Sequence, residues 1–463
     1  MGKYLTTEDC GTAIPLHILP VESLENWLKS LPPMQERWAK NNDFKAGKGE
    51  ILKLAGAAGE LAAVAIGLGD ESANTEEGNL WCLASAVNSL PEGKYRLETT
   101  DNPKHMAIGW ALAHYKFDRY LDKKNTRNAT LIVKSDDDLK EVEAIISGIT
   151  LVRDLVNTPT CDMGPSHLST IMKDLADEHN ADFTETLGDD LLLKGYNAIH
   201  TVGRAAKDQP RLLDMQWGRE DAPKITLVGK GVCFDTGGLD LKPSSGMRYM
   251  KKDMGGAAHT LGLAQMIMET GLDVRLRLLI PAVENNISSD AFRPGDIIKT
   301  YKGTTVEVDN TDAEGRLILC DALALASEDD PDLMLDFATL TGAARVAMGP
   351  AIVPFFTDGD KLAHDLVYHS ETEHDPIWRM PLYAPYAPDL KSPCADLNNT
   401  GSGPYGGAII AALFLKHFVS KPEKWIHFDV FAWNLKNQPG RPQGGEAMGL
   451  RTVYAYLKNT YNK

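Results

Sequence analysis

The chain has 463 residues, of which 43% are hydrophobic and 24% charged, a balance typical of a globular protein with about two or three domains. Its 64 acidic residues outnumber the 48 basic ones, and the net charge of −16 argues against binding to nucleic acid or to an anionic membrane surface. The six cysteines include no C-x-x-C pair, so the sequence indicates neither a zinc ribbon nor a disulfide framework and favours a reducing cytoplasm.

Residues 1–135 are predicted to form a small α/β domain. Strand patterns occupy 13–19 and 129–133, while the Ala- and Leu-rich segment 49–68 and the segment 106–120 predict helices. No complete nucleotide-binding loop occurs in this region. We therefore expect a regulatory or assembly domain.

A linking helix and a larger domain are predicted to follow. Helical spacing of apolar residues over 139–156 leads us to assign 136–158 to the linking helix. From residue 159 to 463, strand and helix patterns alternate, as in a mostly parallel sheet with helices on both faces. Strands are predicted at 224–228, 274–281, 333–340 and 424–432, a hairpin at 297–308, and helices at 255–270 and 316–327. The predicted fold class is thus α/β, with a smaller N-terminal α/β domain and a larger C-terminal domain built on a mixed, mostly parallel sheet.

An acidic turn that leads into an apolar helix is the most informative stretch of the sequence. Asp312 and Glu314 lie two residues apart, Arg316 follows, and residues 317–326 are almost entirely apolar. Burying unpaired charge is costly, so acids embedded among apolar residues indicate a site held on a rigid element rather than an exposed turn.

A second polar cluster could supply partners for these acids. It contains Lys230, Asp235, Lys242 and Asp253, and both clusters follow predicted strands. In open α/β sheets, sites form at the carboxyl ends of strands. Carboxylate oxygens are suitable ligands for hard divalent cations, and two such cations about 3.5–4 Å apart can activate water and polarise a carbonyl. The two clusters therefore contain ligands suited to divalent cations.

Both clusters resemble those of the M17 leucine aminopeptidases, the cytosol aminopeptidases. The octapeptide Asn-Thr-Asp-Ala-Glu-Gly-Arg-Leu at 310–317 is similar to that family's full signature, and the resemblance extends over roughly residues 150–463 and more faintly over the N-terminal part. It implies an enzyme that releases N-terminal residues, leucine-type or other apolar, from peptides. It also implies a cytoplasmic homohexamer with two divalent cations per subunit, Mn²⁺ or Zn²⁺ with Mg²⁺ and Co²⁺ as alternatives, and a bicarbonate ion.

The resemblance implies a role for each residue of the two clusters. One cation would be held by Asp235, Asp312 and Glu314, with the main-chain carbonyl of Asp312, and the other by Lys230, Asp235, Asp253 and Glu314. Lys230 must be neutral to bind a cation, and burial next to dications favours the neutral amine. Lys242 would stay protonated and stabilise the oxyanion of the tetrahedral intermediate. Arg316 would hold the bicarbonate as proton relay, together with the N–H groups of Gly315 and Leu340.

The substrate pocket is also assigned from the resemblance. Substrate-binding positions are Met250, Asn310, Thr339, Leu340 and Gly342. Phe431 and Asn434 depart from the family pattern, since a small residue is common at the first position and animal members have Met at the second. Because Phe431 is bulky, we do not expect a strict preference for leucine.

Three other functions fit the sequence less well. A dinuclear phosphatase or nuclease would usually use histidine ligands, and neither cluster contains one. A DNA-binding role conflicts with the charge of −16, and an inactive assembly protein conflicts with the presence of every implied ligand. We expect structural roles for His259 and His427. We also expect no membrane partner, because the longest apolar run, near 408–415, falls short of the about 20 residues that span a bilayer.

Overall fold

The computed structural model describes residues 4–9, 11–70, 80–98, 102–122 and 129–462. The chain divides into two compact units, Met1–Thr150 with Lys436–Gln443, and Leu151–Leu435 with Gly444–Lys463. Within the described ranges, no helix combines the length and apolar character needed to cross a membrane.

The first unit is built on a six-stranded sheet. Its strands are β1 (Leu5–Thr6), β2 (Ile14–Pro20), β3 (Ile51–Ala55), β4 (Leu61–Gly69), β5 (Gly93–Leu97) and β6 (Ala129–Ile132), and its helices are α1 (Leu24–Ser30), α2 (Pro33–Asn41), α3 (Ala84–Val87) and α4 (Pro103–Ala113). The strand order is β1-β6-β5-β2-β4-β3, and all neighbours are parallel except β3 and β4. The strands predicted at 13–19 and 129–133 are confirmed, and the helix predicted at 106–120 is present but ends at Ala113.

The helix predicted over 49–68 is wrong, because this segment forms the antiparallel pair β3–β4. Its Ala- and Leu-rich composition suggested a helix, but Gly56 and Gly59 allow the chain to reverse, with Gly59 at a φ of +86°. Burial in β3 alternates as in a strand, with Leu52 and Leu54 buried and Lys53 exposed. Here the tertiary pairing outweighs the helix propensity of Ala and Leu.

The second unit begins within the long helix α5 (Asp136–Asn157), which covers all but the last residue of the linking helix predicted over 136–158. Its further helices are α6 (Pro165–His179), α7 (Asp190–Leu193), α8 (Asn197–Gly203), α9 (Ser244–Met247), α10 (Gly255–Thr270), α11 (Glu314–Glu328), α12 (Gly342–Met348), α13 (Asp360–Glu373), α14 (Gly407–Lys416) and α15 (Leu450–Tyr461). Its strands are β7 (Asp182–Leu187), β8 (Arg211–Trp217), β9 (Lys224–Gly229), β10 (Gly231–Asp235), β11 (Arg275–Asn285), β12 (Ile297–Lys299), β13 (Thr305–Glu307), β14 (Leu333–Ala338), β15 (Val353–Phe356), β16 (Ile377–Arg379), β17 (Leu397–Asn398), β18 (Trp425–Asp429), β19 (Trp433–Asn434) and β20 (Gly444–Gly445).

Nine of these strands form one mixed sheet in the order β16-β15-β18-β14-β9-β11-β8-β7, with β10 paired to β11. The central pairs β18–β14, β14–β9, β9–β11 and β10–β11 are parallel, whereas β15–β18, β11–β8 and β8–β7 are antiparallel. The predicted mixed, mostly parallel sheet is thus confirmed. The buried helices α10 and α11 pack against this sheet.

The carboxyl ends of the central parallel strands lie side by side and carry polar residues. Lys230 directly follows β9, Asp235 ends β10, Thr339 follows β14 and Asp429 ends β18. All four side chains are buried. This edge of the sheet is therefore where a buried polar site can form.

Candidate metal centre and active site

Three carboxylates form the centre of the site. One oxygen each from Asp235, Asp312 and Glu314 lies within 4.8 Å of the other two. Asp235 ends β10, Asp312 lies in the turn before α11, and Glu314 is the first residue of α11. Asp235 and Glu314 are buried, whereas the Asp312 side chain is 34% exposed, so the cluster has one side open to solvent.

Two lysines lie against these carboxylates. Lys230 Nζ donates to Asp253 Oδ2 at 2.8 Å and lies 3.0 Å from Glu314 Oε1. Lys242 Nζ lies 2.8 Å from Asp235 Oδ2 and also donates to Asp312 Oδ1. The structure therefore brings together all five residues predicted to bind metal, with Lys242 beside them.

The charges of this cluster are not balanced. Four acids face Lys230 and Lys242, and neither oxygen of Glu314 accepts a hydrogen bond from any described residue. Burial, followed by the charge of Asp235, raises the pKa of Glu314 to about 8 and that of Asp312 to about 6. Crowded carboxylates with unused oxygens are the donors that divalent cations bind, so the residues present fit such cations.

Lys230 is packed tightly against the start of α11. Burial lowers its pKa, but the charges of Asp253 and Glu314 outweigh burial, so the net effect is a pKa above the ordinary value. A Cβ at Gly315 would lie only 2.3 Å from Lys230 Cε. Glycine at position 315 is therefore required for this approach of lysine to helix.

A set of hydrogen bonds that the sequence analysis missed fixes Asp235 relative to the acidic turn. Asn285 Nδ2 donates to Asp235 Oδ1 at 2.8 Å and to the Thr311 carbonyl at 3.1 Å. Thr311 Oγ1 donates in turn to the Gly237 carbonyl at 2.6 Å, and Asp240 Oδ2 accepts from the Thr311 N–H at 2.7 Å. The only sequence signal for Asn285 is a polar residue at the end of an apolar strand.

Arg316 lies on the same helix as Glu314 and is buried. Its Nη1 donates to the Asn399 carbonyl at 2.7 Å, whereas its Nε has no partner among the described residues. Burial lowers the pKa of Arg316 to about 10, still well above neutrality. A charged guanidinium with an unused N–H fits a small oxyanion. The Leu340 N–H, however, already donates to Asp429 Oδ1 at 2.9 Å, so it is not free for the bicarbonate as the resemblance implied.

Two of the predicted substrate-binding residues support the carboxylate cluster directly. Thr339 Oγ1 donates to Asp253 Oδ1 at 2.8 Å, and Asn310 Oδ1 accepts from the Asp312 N–H at 2.8 Å. Met250 is half-buried at the start of the short 3₁₀ helix Met250–Met254, and Gly342 is exposed at the first position of α12.

Phe431 has two cationic side chains within cation–π distance of its ring, and the sequence analysis singled out neither of them. Its ring centroid is 5.4 Å from Lys252 Nζ and 5.2 Å from Arg345 Cζ. Burial lowers the pKa of Lys252 to about 8. The second residue that departs from the family pattern, Asn434, donates from Nδ2 to Glu446 Oε2 at 2.6 Å, so its amide is held by a neighbouring carboxylate.

Both histidines considered earlier are held by other contacts. His259 Nδ1 donates to the Gly255 carbonyl at 2.6 Å, and its Nε2 accepts from the Met448 N–H at 3.0 Å. His427 Nδ1 lies 2.6 Å from Asp336 Oδ1. These contacts agree with the expected structural roles.

Comparison with known proteins adds an independent finding. Residues 150–454 match the model of the cytosol aminopeptidase family catalytic domain, and residues 14–134 match the M17 aminopeptidase N-terminal domain. Peptidase B of Pectobacterium carotovorum is 41% identical over 365 residues, which cover 76% of this chain and 84% of that relative.

Solved structures give the same result. The crystal structure of the cytosol aminopeptidase from Coxiella burnetii has a TM-score of 0.93 at 45% identity and covers 99% of both chains. The bottromycin maturation enzyme BotP in complex with Mn has a TM-score of 0.87 at 30% identity, covering 96% of this chain and 99% of that one.

Proposed function

The chain belongs to the M17 cytosol aminopeptidase family, and we propose that it releases N-terminal residues, leucine-type or other apolar, from peptides at a centre of two divalent cations. Aminopeptidase activity follows from the family, which is metal-dependent. The observation that supports the metal centre in this chain is the crowding of Asp235, Asp312 and Glu314, whose charges the two lysines do not balance.

The ligand assignment uses the five clustered residues. Asp235, Asp312 and Glu314 would hold one cation, and Lys230, Asp235, Asp253 and Glu314 would hold the other. Either Mn²⁺ or Zn²⁺ suits this set of oxygen donors with one amine, as do Mg²⁺ and Co²⁺. When bound, the cations would supply an activated water and polarise the peptide carbonyl. Lys230 can act as a ligand only after it loses the proton that Asp253 and Glu314 now stabilise.

Lys242 would stabilise the oxyanion that forms when the carbonyl is attacked. Burial lowers its pKa, but the charges of Asp235 and Glu314 outweigh burial and keep the pKa above the ordinary value. The ammonium is therefore retained at neutral pH and can donate to developing negative charge. At 2.8 Å from Asp235 Oδ2, it is held beside the proposed cation ligands before substrate arrives.

Arg316 would hold a bicarbonate ion that takes up a proton during the reaction. The unused Nε of its buried guanidinium supports this role. Because the Leu340 N–H is bonded to Asp429, the Arg316 guanidinium and the Gly315 N–H are the donors we assign to the ion.

We also propose a cytoplasmic homohexamer, in which residues 1–135 serve assembly, 136–158 form the linking helix and 159–463 carry the catalysis. Light scattering on the purified chain should give six times the 50.6 kDa mass of one chain. A mass of one or two chains would contradict the assembly proposal and leave the site assignment unaffected.

The test of the proposed function is metal removal and restoration. We expect leucyl p-nitroanilide turnover to be lost after dialysis against a chelator and to return with Mn²⁺ or Zn²⁺. A phosphodiester substrate, used as the comparison, should not be hydrolysed under any of these conditions. Full peptidase activity in protein shown by elemental analysis to be metal-free, or phosphodiester hydrolysis in place of peptidase activity, would overturn the proposal.

A further inference from the structure

The short 3₁₀ helix Met250–Met254 carries the assigned metal ligand Asp253, yet the chain that leads into it has little support. Residues 239–249 are mostly exposed, and their only helix is the four-residue α9. Because a 3₁₀ helix has three residues per turn, Lys251 and Asp253, two positions apart, point to different sides of it. Lys251 can therefore hold the helix from a side that does not face the carboxylate cluster.

Lys251 holds the 3₁₀ helix against the end of α5. Its Nζ donates to the Asn157 carbonyl at 2.5 Å. Asn157 is the last residue of α5, and the last four carbonyls of a helix have no partner within the helix. A cation at this end is also favoured by the helix dipole. One bond thus satisfies a helix carbonyl and fixes the position of the segment that carries Asp253.

Trp433 contacts the same segment from another element. Its ring centroid is 5.6 Å from Lys251 Nζ and 5.3 Å from the ring centroid of Tyr249, the residue directly before the 3₁₀ helix. Trp433 is itself buried, so its indole offers a fixed surface. The attraction between an ammonium and an indole ring adds to the hydrogen bond in holding Lys251 in place.

The contacts of Lys251 close into a ring within the second unit. Trp433 of β19 pairs with Gly445 of β20, and the Gly445 N–H donates to Asn157 Oδ1 at 2.8 Å. A Cβ at Gly444 would lie only 2.5 Å from the same oxygen, so this approach requires glycine. We call this closed set of contacts the Lys251 network, and its members are Lys251, Asn157, Gly445 and Trp433.

We infer that Lys251 is a positioning residue for the metal ligand Asp253, acting through the backbone of the 3₁₀ helix. The inference rests on the proposed function, in which Asp253 binds only one of the two cations. The Asp253 carboxylate now contacts Lys230 at 2.8 Å and Thr339 at 2.8 Å. The contact with Lys230 must change when both residues bind a cation, so the placement of Asp253 then depends on Thr339 and on the Lys251 network.

The test is a titration of metal-free protein with Mn²⁺, in which electron paramagnetic resonance measures the free ion. Lys251→Met keeps the length of the side chain and removes the ammonium. One cation should bind about tenfold to a hundredfold more weakly than in wild type, the usual cost of losing a group that orients a ligand, and the other should be unchanged. Lys251→Arg keeps a donor for the Asn157 carbonyl and should bind both cations within about threefold of wild type.

Turnover of leucyl p-nitroanilide gives a second measurement on the same variant. Lys251→Met should lose activity at limiting Mn²⁺ and regain it to within about threefold of wild type at excess Mn²⁺, because the variant weakens a ligand and removes no reacting group. Activity that stays low although both cations are bound would contradict a role limited to positioning Asp253.

Lys224→Met is the matched control. Lys224 Nζ donates to the carbonyl of Asp329, the residue directly after α11, at 2.8 Å. This is the same kind of bond, from lysine to the end of a helix, but Lys224 starts β9 whereas Lys230 follows the other end of that strand. The variant should lower the melting temperature and leave the binding of both cations unchanged.

Three results would overturn the inference: unchanged Mn²⁺ binding in Lys251→Met, equal weakening of both cations, or the same loss in Lys224→Met. Failure of the proposed function would look different. Wild-type protein that binds no Mn²⁺ and hydrolyses no aminoacyl substrate would reject the aminopeptidase centre, and the role of Lys251 with it. Wild-type protein that binds two Mn²⁺ ions and turns over the leucyl substrate, with Lys251→Met behaving identically, would reject only the positioning role.

Discussion

Helix α11 carries two fully buried carboxylates about two turns apart, and their surroundings differ sharply. Asp321 accepts three backbone N–H groups, from Ala198 at 2.8 Å, Ile199 at 3.3 Å and Tyr301 at 2.8 Å. Glu314 accepts no hydrogen bond from the described residues and lies among other acids. The backbone therefore supplies hydrogen-bond donors to Asp321, whereas the described residues supply none to Glu314.

The difference separates a structural acid from a functional one. Burial raises the pKa of Asp321 to about 7, and its backbone hydrogen bonds oppose that rise. Burial also raises the pKa of Glu314, to about 8, but the next largest cause, the charge of Asp235, adds to the rise. Burying an acid without hydrogen-bond donors and next to another negative charge lowers the stability of the fold. The compensating interaction must therefore come from something that the chain binds.

The largest effect expected from this comparison is the loss of activity in Glu314→Gln. The amide keeps the shape of the side chain but removes the charge, so kcat/KM should fall at least about a thousandfold, beyond the tenfold to hundredfold typical of residues that only support a ligand. Bound metal, measured by elemental analysis, should fall with it. The melting temperature of the metal-free protein should stay the same or rise, because the substitution relieves repulsion.

Wild-type turnover and metal content in Glu314→Gln would contradict the functional role assigned to this carboxylate. Asp321→Asn is the matched control, since it makes the same chemical change on the same helix and should keep both.

The next effect concerns Lys242, which faces the same acids from the open side of the cluster. Lys242→Met should lower kcat by about a hundredfold to a thousandfold, as expected for one lost oxyanion donor. Metal content should be retained, because Lys242 is not an assigned ligand. Steady-state kinetics and elemental analysis on the same sample distinguish this outcome from loss of the cations. A raised KM with unchanged kcat would contradict the assigned role.

The sequence was sufficient to predict elements whose local pattern and tertiary setting agree. Helix α10 has the predicted bounds, and α11 begins two residues before the prediction, at the acid that starts its first turn. The segment 49–68 shows the opposite case, because its composition favours a helix while pairing with its neighbours makes it a hairpin. The strand predicted to reach residue 432 ends at Asp429, whose carboxylate accepts hydrogen bonds from the turn after β14.

The residues of the site also fall into two groups, those that could be predicted from the sequence and those that could not. Asp312 and Glu314 could be predicted because two acids next to an apolar run are conspicuous in sequence. Asn285 could not, because its role depends on the pairing of β10 with β11, which sets it opposite Asp235 across 50 residues of chain. Lys252 was also missed, since only the folded structure shows that it is buried, with its ammonium 3.8 Å from Asp253 Oδ1.

A smaller effect, on stability alone, is expected for Asp321→Asn. An amide cannot accept at both of its polar atoms, so at least one of the three N–H groups loses its partner. The free energy of unfolding should fall by about 1–3 kcal/mol, the usual cost of an unsatisfied buried donor. Urea titration followed by tryptophan fluorescence measures this loss, while specific activity per folded molecule should be unchanged. Loss of activity without loss of stability would mean that Asp321 also belongs to the functional site.

The smallest expected effect is a pH dependence of the free energy of unfolding that comes from His259. Burial lowers the pKa of His259 to about 4, and its two hydrogen bonds use the neutral ring. The unfolded chain, with a histidine pKa near 6.5, binds a proton in a range where the folded chain does not. Stability from this residue is therefore complete above about pH 6.5 and falls as the pH drops toward 4, by about 1–2 kcal/mol between pH 6.5 and 5.

His259→Leu isolates this contribution from the other groups that titrate in the same range. The variant should be less stable than wild type at pH 7, because the Met448 N–H and the Gly255 carbonyl lose their partner. Its stability should nevertheless change less between pH 6.5 and 5, and the two curves should converge as the pH falls. Parallel curves from urea titrations at each pH would show that His259 is protonated in the folded state, and that a buried group with satisfied hydrogen bonds can still change charge in this fold.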